Sequence, residues 1–268
     1  MTRSERLADP LTGEIHDYDQ STFLFRDPVG TFGLPKVLKD CFRSGADIQV
    51  YGGSDGSDAY SLLMVMNQVL GADAVSQRYP IHSIDLSSER TRIAESGIFG
   101  LVSGKFGIET AKWAKYIKPE WLNIFDSIDN PSGDILDAGI NDQLDRPCEH
   151  PEISHMTHRQ LAQMAYKWFQ IKPGPKSQVH FSVGDIRERA KMPFTKPSIL
   201  FCRHFLYQLK PQDRTEVIQN LSKNLPKGSM VVLGDDEKGT VQAKELFDNG
   251  FKTIVQPKEL TGVYWVKT

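Results

Sequence analysis

Short, strongly apolar runs recur along the chain and alternate with segments in which apolar residues follow a helical period. The runs are typical of buried strands, and they lie at residues 48–51, 81–85, 179–183, 198–202, 230–234, 251–255 and 262–266. Helices are expected at residues 34–42, 60–70, 89–96 and 213–224. This alternation predicts an α/β fold with a mostly parallel sheet, and the last two strands, close in sequence, predict an antiparallel C-terminal pair.

The interval between the second and third predicted strands is too long for one crossover, which needs only about a dozen residues. We therefore predict a large insertion, mainly helical and loop, at about residues 100–176. Two helices are expected inside it, near residues 110–125 and 158–168. We also predict an N-terminal lead-in with a reduced helical segment at residues 1–46. It is followed by a main domain at residues 47–268, which contains the insertion.

Composition narrows the classes of function. The 268 residues carry 32 Lys+Arg against 34 Asp+Glu, a formal net charge of −2, which argues against nucleic acid as a partner. No apolar stretch approaches the roughly 18 residues of a membrane-spanning helix, so membrane insertion is not expected. The N-terminus lacks the apolar segment of a secretory signal. Three widely spaced cysteines, Cys41, Cys148 and Cys202, fit reduced thiols in the cytoplasm better than a disulfide framework.

The strongest local signal is a glycine-rich turn at residues 52–56, between the first predicted strand and a helix that Ser57 or Asp58 can cap. Asp85 follows at the end of the next strand, where an acid can accept hydrogen bonds from ribose hydroxyls. The turn matches neither G-x-G-x-x-G nor the P-loop pattern, and Asp55 and Asp58 would repel a phosphate. It therefore suits a positively charged nucleoside such as S-adenosylmethionine. The alternative is an ordinary tight turn with Asp85 as a helix cap.

Several short segments, in order from residue 22 to residue 237, carry a more specific signal. They read T-F-L-F-R-D-P (22–28), G-G-S-D-G-S-D-A-Y-S-L (52–62), I-D-L (84–86), A-E-S-G-I-F (94–99), F-C-R-H-F-L (201–206) and L-G-D-D-E (233–237). They resemble T-x-F-F-R-D-P, G-C-S-T-G-E-E-P-Y-S-L, T-D-I, A-R-x-G-x-Y, F-C-R-N-V-L and L-G-H-S-E of the CheR-type chemoreceptor glutamate methyltransferases. An ordered set of segments is more specific than any one of them.

The resemblance implies a class I, Rossmann-like methyltransferase fold, with S-adenosylmethionine as the cofactor and S-adenosylhomocysteine as its product. It also implies direct methyl transfer to a glutamate of a protein substrate, a chemoreceptor or another signalling protein. The oligomeric state stays open. A carboxylate acceptor needs no general base, because it is already a nucleophile, so the enzyme must mainly align it with the methyl group.

By matched position, the resemblance assigns residues to the methionine and ribose parts of the cofactor. Thr22 and Arg26 would border the methionine part and the transferred methyl. Gly53 would lie against the ligand, Asp58 would contact its amino group, and Asp85 would hold the ribose.

A second group would surround the adenine and the reacting methyl. Asp185 and Ile186 would flank the adenine, while Cys202 and Arg203 would line the far wall. Arg203 or Arg26 could orient a carboxylate bidentately, although either could instead form a structural ion pair. The residues assigned to catalysis are Arg26, Arg203 and Tyr207.

Three departures from the family pattern support a different reading. Gln208 stands where the family has a tyrosine near the methyl, Tyr207 is one position earlier, and His204 replaces an asparagine. The family's N-terminal helical domain looks mostly absent. The insertion does not resemble the small β-subdomain with which the family docks receptor tails. The alternative function is therefore a catalytically inactive module that binds S-adenosylmethionine or S-adenosylhomocysteine.

Two further clusters are assigned no site. Cys148, His150, His155 and His158 fit no standard zinc spacing, so we expect a polar loop and no metal. The aromatic and basic residues at 113–121 are expected to form an amphipathic helix packed through its tryptophans, with a partner-binding surface as the alternative.

Overall fold

The seven predicted strands form one sheet in the computed structural model, which describes residues 4–8, 15–19, 28–102, 123–128, 166–235, 237–254 and 258–268. In chain order the strands are β1 (Ser4–Ala8), β2 (Ile15–Asp19), β3 (Asp47–Tyr51), β4 (Ile81–Asp85), β5 (Ile98–Val102), β6 (Phe125–Ile128), β7 (Tyr166–Ile171), β8 (Val179–Val183), β9 (Ser198–Phe201), β10 (Met230–Val232), β11 (Phe251–Thr253) and β12 (Tyr264–Lys267). The helices are α1 (Pro28–Cys41), α2 (Ser57–Leu70), α3 (Ala72–Arg78), α4 (Ser88–Ser96), α5 (Pro173–Lys176), α6 (Ile186–Arg189), α7 (Pro211–Asn224) and α8 (Val241–Asp248).

The large sheet has the order β11-β12-β10-β9-β3-β4-β8. Its five strands from β10 to β8 are parallel, whereas β12 runs antiparallel to both of its neighbours, β10 and β11. This confirms the predicted mostly parallel sheet with an antiparallel C-terminal pair. Because the parallel strands all end at one edge, the loops that follow them meet along that edge. We call it the carboxyl edge.

The helices cover both faces of this sheet and divide the core into two apolar clusters. Ile199 and Phe201 of β9 join the cluster beneath α1 and α2, while Leu200 between them joins the cluster beneath α7 and α8. All three side chains are buried. This alternation within one strand explains why the runs look continuously apolar in the sequence, since a parallel strand covered on both faces has no polar side.

Two helix starts differ from the predictions. Helix α1 begins at Pro28, before the predicted start at residue 34, and contains a second proline, Pro35, within its length. Helix α2 is capped by neither Ser57 nor Asp58, which lie inside it; its N-cap is Gly56 in the left-handed conformation, with φ of 84°. Helix α4, in contrast, has a side-chain cap, because the Ser87 side chain accepts a hydrogen bond from the Arg90 amide.

The structure of the insertion departs further from its prediction than these helix starts do. Its described parts form a three-stranded antiparallel sheet of order β5-β7-β6, where we predicted mainly helices and loops. The predicted helices at 110–125 and 158–168 lie mostly outside the described residues, and their C-terminal ends are strand in β6 and β7. Strands β1 and β2 form a separate antiparallel pair within the predicted lead-in. We call the sheet β5-β7-β6 the small sheet.

Within the described part of the chain, no helix has the length and apolar character needed to cross a bilayer.

Candidate functional site

The described candidate site residues meet at the carboxyl edge of the large sheet. Gly53 and Asp58 follow β3, Asp85 ends β4, Asp185 and Ile186 follow β8, and Cys202, Arg203 and Tyr207 follow β9. Thr22 and Arg26 lie outside the described residues, in the segment immediately before α1. One edge of one sheet therefore carries all of the assigned positions that can be located.

The turn after β3 is shaped by its glycines and by the neighbouring strand. Gly52 has φ of 67°, and both the Gly52 and Gly53 amides donate to the Ile84 carbonyl, over 2.9 and 3.3 Å. A Cβ on Gly53 would lie 2.1 Å from the Ser83 hydroxyl oxygen. A side chain at residue 53 would therefore displace the Ser83 hydroxyl of β4, whether or not a ligand binds.

Asp85 links this turn to the start of α4. One carboxylate oxygen accepts from the Ser54 amide over 2.8 Å, and the other accepts from the Ser87 amide over 2.9 Å. Each oxygen of a carboxylate can accept a second hydrogen bond. Asp85 therefore holds the turn after β3 and the start of α4 together, and this structural role is compatible with the ligand-binding role that the resemblance implies.

Asp58 and Arg203 form a buried ion pair across the site. Arg203 Nη2 lies 3.1 Å from Asp58 Oδ1, and the two side chains are 1% and 6% exposed. Arg203 Nη1 also donates to the hydroxyl of Thr31 in α1 over 2.8 Å, and its guanidinium lies 5.1 Å from the ring centre of Phe201. These contacts tie the loop after β9 to both α1 and α2, and they hold the guanidinium in one orientation.

The loop after β8 is stabilised internally. Asp185 caps α6 by accepting from the Arg187 amide, and its carboxylate also pairs with the Arg187 guanidinium, whose Nε lies 2.9 Å from Oδ2. Ile186 is 1% exposed and packs in the cluster beneath α7 and α8. The two residues assigned to the adenine thus present a fixed loop backbone at the carboxyl edge.

The residues after β9 differ in their access to solvent. Cys202 is fully buried, and removal from water raises the pKa of its thiol, so it does not ionise at neutral pH. Tyr207 is 43% exposed, whereas the half-buried Gln208 donates its side-chain amide to the His204 carbonyl over 2.6 Å. His204 has φ of 51°, a left-handed conformation in which Asn, Asp and His occur more often than other non-glycine residues.

Two acids in the loop after β10 organise the site, although the sequence analysis gave them no role. Glu237, 4% exposed, accepts from the His204 amide over 2.9 Å and from the Gly234 amide over 2.6 Å. Asp235 accepts from the Val29 and Gly30 amides at the start of α1. The signal available was the pair of acids directly after an apolar strand.

In the described part of the chain, no group of three or more His, Cys, Asp or Glu side chains is arranged to hold a metal ion. The cluster from Cys148 to His158 and the aromatic segment at residues 113–121 lie outside the described residues.

Comparison with known proteins finds a family profile that matches part of the chain. A profile described as CheR methyltransferase, SAM binding domain, matches residues 149–255. A search of curated protein sequences finds no match. Similar solved structures include an S-adenosylmethionine-dependent methyltransferase of Methanosarcina mazei, 14% identical, with 86% of this chain and 76% of that chain covered and a TM-score of 0.33. Another is the N-methyltransferase NodS of Bradyrhizobium japonicum, solved with S-adenosylhomocysteine, 10% identical, covering 88% and 85%, with a TM-score of 0.39.

At these identities and scores the solved structures add no argument of their own. The assignment rests on the order and direction of the strands and on the family profile, which includes the positions of Asp185 and Arg203. The resemblance found in the motifs agrees with the family profile, since residues 149–255 match a CheR-type S-adenosylmethionine-binding domain. The order and directions of the strands are those of a class I S-adenosylmethionine-dependent methyltransferase fold, and S-adenosylmethionine is the cofactor that the profile supports.

Proposed function

We propose that the protein transfers the methyl group of S-adenosylmethionine to a carboxylate of a protein substrate, most simply a glutamate side chain. The observation that carries this proposal is the convergence at one sheet edge of residues from separate family-like segments, among them Gly53, Asp58, Asp85 and Arg203. The family profile over residues 149–255 supports the same cofactor chemistry.

In this proposal the cofactor lies across the carboxyl edge. Asp85, at the end of β4, accepts hydrogen bonds from the ribose hydroxyls. The adenine lies against the loop of Asp185 and Ile186. The amino group of the methionine part approaches Asp58, and Thr22 and Arg26 border its carboxylate and methyl.

Methyl transfer to a carboxylate requires little proton transfer by the residues of the protein. A carboxylate oxygen of the acceptor forms a bond to the methyl carbon, the bond between that carbon and the sulfonium sulfur breaks, and the sulfur keeps the electron pair. The products are a methyl ester and S-adenosylhomocysteine. Opposite charges are neutralised as the methyl moves, so a site that excludes water favours the reaction, provided that Arg203 or Arg26 holds the carboxylate in line.

A protein acceptor is favoured by the small sheet. The small sheet lies in the chain between β4 and β8, within the insertion. The sequence of this insertion does not resemble that of the β-subdomain with which the family docks receptors. Among the described residues, strands β5 and β6 are the outer strands of this sheet, and each pairs with β7. A small antiparallel sheet in this place is the kind of element on which the family docks receptor tails, which supports a peptide or protein over a small molecule.

The test measures binding and transfer separately. Calorimetry should detect S-adenosylmethionine and S-adenosylhomocysteine, and Asp85→Ala should weaken both at least tenfold, whereas the exposed Asp248→Asn should leave both unchanged. With methyl-labelled cofactor and a lysate, proteins should gain label that mild base releases as methanol, as methyl esters do. Failure of both ligands to bind at high micromolar concentration would refute the proposal, and base-stable label would refute the carboxylate acceptor.

A second candidate function is a binding module without turnover. It is favoured by Gln208, which stands in place of the family tyrosine and whose side-chain amide is engaged by the His204 carbonyl. For such a module, both ligands bind but no label is transferred. Gln208→Tyr is the informative variant: gain of transfer would show that the tyrosine alone was missing.

A further inference from the structure

One residue in the loop after β9 has a backbone conformation that its Cβ disfavours. His204 has φ of 51°, in the left-handed region, which costs free energy for every residue except glycine, although histidine occurs there more often than most. Such a conformation persists only where the surrounding contacts impose it. The contacts made by the backbone of His204 should therefore show what maintains it.

Glu237, from the loop after β10, holds this backbone. Its buried Oε2 atom accepts hydrogen bonds from the His204 amide over 2.9 Å and from the Gly234 amide over 2.6 Å. The Glu237 amide in turn donates to the Gly234 carbonyl over 3.1 Å, which closes the turn that carries the carboxylate. The His204 carbonyl accepts from the Gln208 side-chain amide over 2.6 Å. Both the amide and the carbonyl of His204 are therefore engaged, and Glu237 ties the loop after β9 to the loop after β10.

The two neighbours of His204 in the sequence contact different parts of the site. Arg203 pairs with Asp58 of α2 over 3.1 Å. Phe205 instead packs against the cluster beneath α7 and α8, and a Cβ on Gly52, in the turn after β3, would lie 2.8 Å from its ring. The conformation of a single residue, His204, thus sets two contacts on either side of the glycine-rich turn.

We propose that Glu237 is a positioning residue for S-adenosylmethionine: by holding His204 in the left-handed conformation, it keeps Arg203 and Phe205 against the segments that border the cofactor. These segments are the turn after β3 and the start of α2. The inference rests on the cofactor part of the proposed function and is independent of the methyl acceptor. Glu237 acts through the loop after β9, so the proposal requires no contact between its carboxylate and the cofactor.

The affinity for S-adenosylhomocysteine, measured by calorimetry well below the melting temperature of each variant, tests the proposal. Glu237→Ala should weaken binding about tenfold, because the His204 amide loses its acceptor. Glu216→Ala, which removes an exposed glutamate of α7, is the matched control and should leave the affinity unchanged. An unchanged affinity in Glu237→Ala, even with a lower melting temperature, would show a purely structural role and overturn the inference.

Substitution of residue 204 tests the conformation itself. His204→Val should weaken binding about tenfold with Glu237 still in place, because a β-branched side chain strongly disfavours a positive φ. His204→Asn should bind within about threefold of the wild-type chain, since asparagine adopts this conformation more readily. This pair keeps the proposal testable if Glu237→Ala does not fold. Equal affinities of the two variants would overturn it.

A rescue experiment links Glu237 to His204. Glycine adopts a positive φ without support from its surroundings, so adding His204→Gly to Glu237→Ala should improve the affinity at least about threefold. A double variant that binds more weakly than Glu237→Ala would show that the two residues act independently, and it would overturn the inference while leaving the cofactor assignment intact. Absence of binding by the wild-type chain would overturn both.

Discussion

The carboxyl edge and the small sheet are held together by different kinds of interaction. At the carboxyl edge, the carboxylates of Asp85, Asp235 and Glu237 bridge the loops by accepting hydrogen bonds from backbone amides. The Asp58–Arg203 ion pair is almost fully buried. In the described part of the small sheet, strand pairing is accompanied by an aromatic contact of Phe125 with Phe169, whose ring centres are 6.2 Å apart.

This difference predicts how each region responds to change. A buried charge that loses its partner is costly, because its desolvation is no longer compensated. An apolar contact that is trimmed loses only the area removed and part of the packing. Substitutions at the edge should therefore affect stability and cofactor binding together, whereas substitutions in the small sheet should affect stability with little effect on the cofactor.

The largest effect is expected from Asp58→Ala, which leaves the Arg203 guanidinium buried without its carboxylate. We expect the free energy of unfolding to fall by about 3–5 kcal/mol, measured by denaturant titration. The exposed pair formed by Lys36 and Asp40 gives the matched control, and Asp40→Asn should leave the denaturation midpoint unchanged. A fall of less than about 1 kcal/mol in Asp58→Ala would remove the proposed distinction between the two regions.

A smaller effect is expected from Tyr264→Phe, which removes only the hydroxyl that donates to the Gly30 carbonyl. Tyr264 is fully buried, and burial raises the pKa of its phenol, so the hydroxyl stays a donor at every accessible pH. Losing this buried hydrogen bond should cost about 0.5–1.5 kcal/mol. Because α1 also contacts Arg203, cofactor affinity should fall as well, and an unchanged affinity would contradict the link between this turn and the site.

In the small sheet, a substitution should lower stability without changing cofactor binding. Phe125→Leu removes the edge-on contact with Phe169 while keeping an apolar side chain, and it should cost about 1 kcal/mol. The dissociation constant for S-adenosylhomocysteine should not change. If the substitution weakens cofactor binding as strongly as Tyr264→Phe does, the two regions are coupled and the comparison fails.

The smallest effect is expected near the amino ends of two neighbouring strands of the large sheet, where His82 of β4 stacks on His180 of β8 with ring centres 5.3 Å apart. Burial lowers the pKa of His82 from its ordinary value of 6.5; His180 and Lys196 act in the same direction, and Asp47 opposes them. The folded chain therefore binds fewer protons than the unfolded chain, so stability should fall as the pH drops through 6.5.

His82→Gln should make this decline shallower, as measured by denaturation between about pH 7.5 and pH 5.5. An equally steep decline in His82→Gln would assign the pH dependence to other groups.

The same contrast explains how much could be predicted from sequence. The strands of the large sheet are short runs with both faces buried, so their composition alone identifies them; β9 and β10 are examples. The small sheet was missed because β7 pairs with β5 some seventy positions earlier, and its aromatic sequence, Y-K-W-F-Q-I, fits a helix as well as a strand until a partner is known.

The site shows the same limit. Gly53 and Asp85 could be assigned because a strand, a tight turn and a helix leave a local pattern. The roles of Asp235 and Glu237 depend on which loops the sheet brings together, and the glycine at the cap of α2 was missed because serine and aspartate are the commoner caps.

The tie between Tyr264 and Gly30, across 234 positions, also has a consequence for biosynthesis. A ribosome delivers chain at about 5–20 residues per second, so α1 leaves the exit tunnel well before the strand that fixes its first turn has been made. The first turn of α1 cannot form its contact with Tyr264 until β12 has been synthesised. A nascent or truncated chain that ends before β12 would therefore contain the residues of the cofactor site but would lack the contact that fixes the position of α1. Competence to bind should therefore appear late and abruptly during synthesis, as a property of the finished chain.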